Sequence, residues 1–180
     1  MTLEGRRIAI LAEDDYEDME LWYPLMRMRE EGAEVLVVGP KAQSYTSKHG
    51  YPVEVDVPLD EAKADDFHAV IIPGGYAPDR MRRHAALIAF VRDMHQQGKL
   101  VAAICHAPWV AISAGLVRQR KVTSFISLKE DLVNAGADWA DEEVVVDRNL
   151  ITSRSPDDLP AFCREIITVL RKAGAQAKAA

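Results

Sequence analysis

Short apolar runs alternate along this chain with stretches whose apolar residues recur at helical spacing, the pattern of a mostly parallel sheet with helices on both faces. Residues 7–12 form the first expected strand. The segment from Glu17 to Glu31 carries Met19, Trp22 and Met26 at helical spacing and ends at Gly32, a residue suited to the left-handed turn after a helix. Further buried strands are predicted over 33–38, 69–72 and 100–104, whereas 53–57 alternates strictly, as an exposed edge or hairpin strand does. Leu87, Phe90, Val91 and Met94 mark a helix that leads through Gly98 into the strand at 100–104. Beyond that strand a helix opens at Pro108 and ends at Gly115, 121–125 reads as a short strand, and Ser127-Leu128-Lys129-Glu130 has capping-box spacing before a helix toward Asn134. Strands at 143–146 and 150–153 flank the turn Asp147-Arg148-Asn149. Ser155-Pro156-Asp157-Asp158 starts a last helix that runs to about Lys172, with Leu159, Phe162, Cys163, Ile166, Ile167 and Leu170 on its apolar face.

No repeat or low-complexity linker interrupts this order, so the 180 residues read as a single domain, with a small, polar tail at 173–180 expected to fray. The formal net charge of −6 argues against general nucleic-acid binding, and the short basic run Arg118, Arg120, Lys121 is isolated. No apolar run approaches membrane-spanning length. The two cysteines have neither metal-ligand nor disulfide-framework spacing, and the N-terminus lacks the apolar core of a signal peptide, so a reducing cytoplasm is the expected compartment.

One of those cysteines stands out. Ala103-Ile104-Cys105-His106-Ala107-Pro108 places a thiol where a buried strand turns sharply into a helix. Such an elbow strains the backbone of the nucleophile and needs small neighbours, a need that Ala103 and Ala107 meet. A helix N-terminus is expected to favour the thiolate and lower its pKa. Cys163, on the apolar face of the last helix, reads as core.

Ligands in open α/β sheets sit outside the carboxyl ends of the strands, which directs attention to three segments. Gly74 and Gly75, with the N–H of His106, are candidates for an oxyanion hole. Glu20 precedes Pro24 by four residues, and proline cannot donate to the Glu20 carbonyl, so the helix is expected to start late or kink there. A carboxyl at such a break can turn inward toward Cys105, lose water, hold its proton and donate to the sulfur or its oxidised forms. Asp14, Asp15, Glu17 and Asp18 read more simply as a solvated acidic cluster. Because His106 is the last histidine, the triads of glutamine amidotransferases and dienelactone hydrolases, which need one well downstream, cannot be built conventionally. Any imidazole base is His106 itself or comes from upstream, where only His49, in Lys48-His49-Gly50, has a turn-like setting.

Taken in order, Glu17-Asp18-Met19-Glu20-Leu21 with Tyr23-Pro24, Lys48-His49-Gly50-Tyr51, Pro73-Gly74-Gly75 with Ala77-Pro78, Ile104-Cys105-His106, Asn134-Ala135-Gly136 and Glu143-Val144-Val145-Val146-Asp147 resemble the ThiJ/PfpI superfamily. The resemblance spans nearly the whole chain. It is strongest to the PfpI-type intracellular proteases, also described as stress proteins and deglycases. It implies a flavodoxin-like three-layer sandwich with a nucleophile elbow, Cys105 as nucleophile, His106 as its partner, Glu20 against the sulfur and an oxyanion hole near Gly75. It also implies homo-oligomers, dimers that assemble further into hexamers, with an acid from a neighbouring subunit falling at Asp79. The archaeal proteases have glutamate there, one methylene longer, and tyrosine where this chain has Phe125.

The resulting expectation is a stress-response hydrolase in which Cys105 attacks a carbonyl carbon of a peptide, a small carbonyl compound or a glycated group, with no metal or organic cofactor. Peptidase activity is expected to be weak, given Asp79 and Phe125. The competing expectation is a redox sensor or chaperone that uses an oxidisable Cys105 without turnover.

Overall fold

The computed structural model describes residues 2–41 and 43–179, the side chains of 175–179 excepted. In chain order its elements are β1 (Arg7–Leu11), α1 (Asp18–Glu30), β2 (Glu34–Gly39), β3 (Ser44–Thr46), β4 (Pro52–Glu54), β5 (Val57–Pro58), β6 (Ala69–Ile72), α2 (Ala77–Met81), α3 (Ala85–Gln96), β7 (Leu100–Ile104), α4 (Pro108–Ala114), β8 (Lys121–Val122), α5 (Lys129–Asn134), β9 (Asp138–Trp139), β10 (Val144–Asp147), β11 (Leu150–Ser153) and α6 (Leu159–Ala179).

The apolar runs become a seven-stranded sheet of order β10-β11-β7-β6-β1-β2-β5, parallel throughout except for the β10–β11 hairpin. Every residue of β6 and β7 is buried, which is why these strands read as continuous apolar runs without alternation. Helices α1 and α6 pack together, α2 and α3 pack on α4, and both groups cover the sheet, giving three layers. Around the sheet centre, β2 lies beyond β1 while β7 and β11 lie beyond β6. Successive crossovers therefore diverge between β1 and β6, the place where doubly wound sheets open a crevice at their carboxyl edge.

Several local expectations change. The alternating run 53–57 is not one strand: β4 pairs with β3, and the chain then switches partner so that β5 joins β2. Asp56 makes that switch, its N–H donating to the Val37 carbonyl and its carboxylate accepting the Val37 N–H. The run 121–125 pairs only at Lys121 and Val122, with β9; Thr123 and Phe125 instead donate their N–H groups to Thr152 Oγ1 and the Cys105 carbonyl. The capping box does not form, since a 3₁₀ turn over Ile126–Leu128 precedes α5 and no side chain caps it. Helix α1 neither starts late nor stops at Pro24; it begins at Asp18 and runs through the proline to Glu30. The final helix continues past Lys172 to Ala179; Ala180, the end of the tail expected to fray, lies outside the described residues.

Candidate active site

Cys105 leaves β7 with φ of +62°, the left-handed region, which costs a non-glycine residue about 1–2 kcal/mol. The turn is over-determined: the Cys105 N–H donates to the Ser153 carbonyl and its own carbonyl accepts from Phe125 N–H, both at 3.0 Å. Two loops are fastened beside it. Glu17 N–H donates to the Gly74 carbonyl and Tyr76 N–H to the Asp15 carbonyl, so the segment after β1 is zipped to the segment after β6. This zipper brings the first turn of α1, and with it Glu20, against the elbow.

Glu20 is fully buried. Its Oε2 accepts the N–H of Gly74 at 2.7 Å, its Oε1 has no hydrogen-bond partner, and its side chain interacts with the Cys105 thiol. Burial pushes the carboxyl up to about 7, against the lowering effect of the Gly74 hydrogen bond. An orphaned carboxyl oxygen in such a place is best satisfied by carrying the proton and donating it to sulfur.

The thiol departs from the sequence expectation of a depressed pKa. Burial and the charge of Glu20 push Cys105 up, while hydrogen bonds from the Gly75 and His106 N–H groups pull it down. The part due to Glu20 exists only while that carboxyl is ionised. A proton on Glu20 removes the repulsion and supplies a donor to sulfur, so thiol and carboxyl titrate as one pair.

The glycine pair divides its work. Gly74 N–H is spent on Glu20, so it does not serve as an oxyanion donor, and the N–H groups reaching the sulfur are those of Gly75 and His106. Gly74 is also the point of closest approach: a Cβ there would lie 2.7 Å from Glu20 Oε2, 2.8 Å from Cys105 Cβ and 2.9 Å from His106 N. Gly74→Ala is therefore expected to destabilise the fold by about 2 kcal/mol, as overpacking does, and urea denaturation measures it; an unchanged midpoint would mean that the elbow yields freely.

His106 places Nδ1 3.1 Å from Cys105 Sγ. Its ring stacks on Phe125 at 4.9 Å and meets the edge of Trp109 at 5.4 Å, and Nε2 lies 3.3 Å from Ser127 Oγ. Burial first, then the charge of Lys48, lowers its pKa, so the ring is neutral at pH 7 and available as a base. The other four histidines turn elsewhere: His49 to Asp18 at 2.6 Å and His84 to Glu13 at 3.0 Å, while His68 accepts the Arg7 N–H and His95 Nδ1 is buried without a partner.

The acidic segment is not a solvated cluster. Asp14 accepts the Thr46 N–H, Asp15 binds Arg80, Glu17 binds Lys48, and Asp18 binds Ser47 and His49. Glu17, Asp18 and His49 bring possible ligand atoms within 4.8 Å of one another, but Lys48, Ser47 and His49 already satisfy these carboxylates. Asp79 stands exposed on α2 and is paired with Arg83, not with His106 of the same chain. Sequence reasoning missed Lys48 as part of the site, where its charge acts on Cys105, Glu20 and His106, and missed Ser127, whose spacing signalled a cap. Cys163 is 1 % exposed against 8 % for Cys105, and burial pushes its thiol up to about 12.

Known proteins resemble the chain over most of its length. The model of the DJ-1/PfpI family matches residues 6–169. A deglycase from Pyrococcus abyssi is 47 % identical over 165 residues, 92 % of this chain and 99 % of that protein. Protein/nucleic acid deglycase 2 from Escherichia coli K12 is 42 % identical over 169 residues, 92 % and 98 % of the two chains. Among solved structures, a protein from Anabaena variabilis with DJ-1/ThiJ/PfpI-like and ferritin-like domains superposes with a TM-score of 0.90 at 45 % identity; the match covers 92 % of this chain and 48 % of that two-domain protein. Among the described residues, no helix is long and apolar enough to cross a membrane.

Proposed function

Since the chain belongs to the DJ-1/PfpI family, we propose that it is a cysteine-dependent enzyme of the deglycase type, in which Cys105 attacks the aldehyde carbon of a glyoxal, either free or released with its amine when the C–N bond of a hemiaminal reopens. The observation that carries this reading is the convergence on one sulfur of a neutral base, a proton-holding carboxyl and two backbone donors. His106 Nδ1 takes the thiol proton, and the sulfur lone pair forms the C–S bond. The carbonyl π pair moves onto oxygen, which lies against the Gly75 and His106 N–H groups and receives the proton of Glu20. The product is a hemithioacetal. Proton transfer between the two adjacent carbons of a glyoxal unit, relayed by His106, isomerises this adduct to a thioester, which water cleaves to a 2-hydroxy acid and the free thiol. The overall change is an internal redox isomerisation with hydrolysis, and it draws on no outside oxidant or cofactor.

Peptide cleavage uses the same nucleophile but must also expel an amine, which needs a proton donor beyond the carbonyl, so we place it second. The proposal extends to a stress role in the cytoplasm and to self-association. Met19, Tyr23 and Met26 stand exposed at helical spacing on α1, an apolar surface that a second copy would cover.

The reading is tested by alkylation. One equivalent of iodoacetamide is expected to modify Cys105, leave Cys163 untouched and remove turnover of methylglyoxal in proportion to labelling, followed by peptide mass spectrometry and a lactate assay. Full turnover in protein labelled at Cys105 would sink it. A non-labelled protein that produces no lactate, yet converts Cys105 to the sulfinic acid under mild peroxide, would support the redox reading, in which protonated Glu20 donates to the oxidised sulfur.

A further inference from the structure

We infer that Ser127 is a positioning residue for His106: its hydroxyl holds the outer ring nitrogen from within the same chain and fixes the tautomer that turns a bare Nδ1 toward the Cys105 thiol. This rests on the proposed role of His106 as the base.

Three independent features of the site support it. The hydroxyl of Ser127 is free for the task, because α5 has no side-chain cap, whereas Nε2 of His106 lies 3.3 Å from it. The ring has little rotational freedom, being stacked on Phe125 with an interplanar angle of 26° and met by Trp109 at 65°, so its two nitrogens point in fixed directions, one to sulfur and one to Ser127. The segment bearing Ser127 is also tied to the nucleophile. Phe125 donates to the Cys105 carbonyl and Leu128 to the Phe125 carbonyl, both at 3.0 Å, so sulfur, ring and hydroxyl move as one unit.

Two carboxylates of the same chain near Trp109 are engaged elsewhere. Asp79 is paired with Arg83, and Asp131 accepts the Trp109 indole N–H at 2.7 Å. Among the described residues, the other charged or titratable groups around the ring are Cys105 in its own turn, Glu20 of α1 on the sulfur side, Lys48 from the loop after β3 and Arg82 over the far Trp109 ring. None of these can accept the Nε2 proton. A neutral imidazole needs one acceptor and one donor, and here the acceptor for Nε2–H is a hydroxyl. When the thiol proton moves to Nδ1, the Nε2–H stays on Ser127 and its hydrogen bond strengthens with the ring's positive charge. A hydroxyl supports an imidazolium less than a carboxylate would. The base therefore stays unprotonated to lower pH than in a site with an acid behind it.

The test combines the ring tautomer with kinetics. Ring-¹⁵N spectra of histidine-labelled protein, with the His106 signals assigned by their loss in His106→Gln, are expected to show the Nε2–H form alone. Ser127→Ala is expected to give a mixture of tautomers, to lower kcat about fivefold with KM within about twofold, as for one hydrogen bond lost, and to move the acidic limb of kcat/KM to lower pH. Ser127→Thr, which keeps the hydroxyl, is expected to restore both readouts. An unchanged tautomer in Ser127→Ala overturns the inference, whether kcat falls or not. Because the spectra need no turnover, an inactive wild-type protein would refute the functional reading while leaving the tautomer result to decide this one.

Discussion

Cys105→Ala is expected to lower turnover of glyoxals by at least about a thousandfold, since no other group in the site can replace the nucleophile. The fold is expected to survive, for the turn is held by the backbone hydrogen bonds that Cys105 donates to the Ser153 carbonyl and accepts from the Phe125 N–H, which the substitution leaves in place. A second substitution separates chemistry from strain. Cys105→Gly removes the same sulfur but relieves a φ of +62°, so it is expected to be more stable than Cys105→Ala by about 1 kcal/mol. Steady-state lactate formation and urea denaturation of the two variants decide the matter. An alanine variant retaining a tenth of wild-type turnover would move the chemistry away from Cys105. Equal stability of the two would mean that the elbow is not strained, and that the sharp turn is an incidental feature of the fold. Residual stability above that of wild type would show how much folding free energy the functional thiol costs.

The elbow was legible in the sequence because everything that makes it is local. A strand buried on both faces, small residues on either side of the thiol and a proline one turn later all lie within nine residues, and β7 with α4 forms as those residues require. Glu20 was also legible, but its inward direction does not come from Pro24. Helix α1 does not break at Pro24 to release an inward carboxyl. The carboxyl points inward because the loops after β1 and β6 are zipped together, and a long-range pairing of that kind leaves no trace in local propensity. The same blindness explains the acidic segment. A carboxylate reads as solvated until its partner is known, and the partners of Asp15, Glu17 and Asp18 lie at Arg80, Lys48, Ser47 and His49. Ser127 failed in the opposite way. Its spacing to Glu130 is that of a cap, yet the 3₁₀ turn ahead of α5 redirects the hydroxyl to a ring that only the tertiary fold brings near.

Lys48 changes how the charge of the site is understood. Its ammonium acts on Cys105, Glu20 and His106 together and is itself held by Glu17. A cation so placed favours a negative sulfur and disfavours an imidazolium, so it keeps the histidine neutral as the acceptor of the thiol proton, while at Glu20 it works against the burial that holds the carboxyl proton. The carboxyl then becomes the group whose proton sets the state of the whole site.

Glu20→Gln is therefore expected to lower kcat on the order of a hundredfold, because an amide can donate to sulfur but cannot hand a proton to the substrate oxygen. It is also expected to change the pH dependence of stability. Burial raises the Glu20 carboxyl from 4.5 to about 7, so between these values the folded chain holds a proton that the unfolded chain has released. Stability from this group is complete below about 4.5 and is lost as pH rises to about 7, a difference of roughly 3 kcal/mol. His68, His95 and His106, whose pKa values burial lowers, work in the opposite sense, since the unfolded chain binds more protons as pH falls below 6.5. Their contribution cancels in the difference between wild type and Glu20→Gln. Cys105, titrating above this window, does not enter it. Urea denaturation of both proteins from pH 4.5 to 7.5 is expected to show the variant gaining on wild type steadily as pH rises. A constant difference across that range would place the Glu20 proton outside it, and with it the proposal that a protonated carboxyl supplies the substrate oxygen.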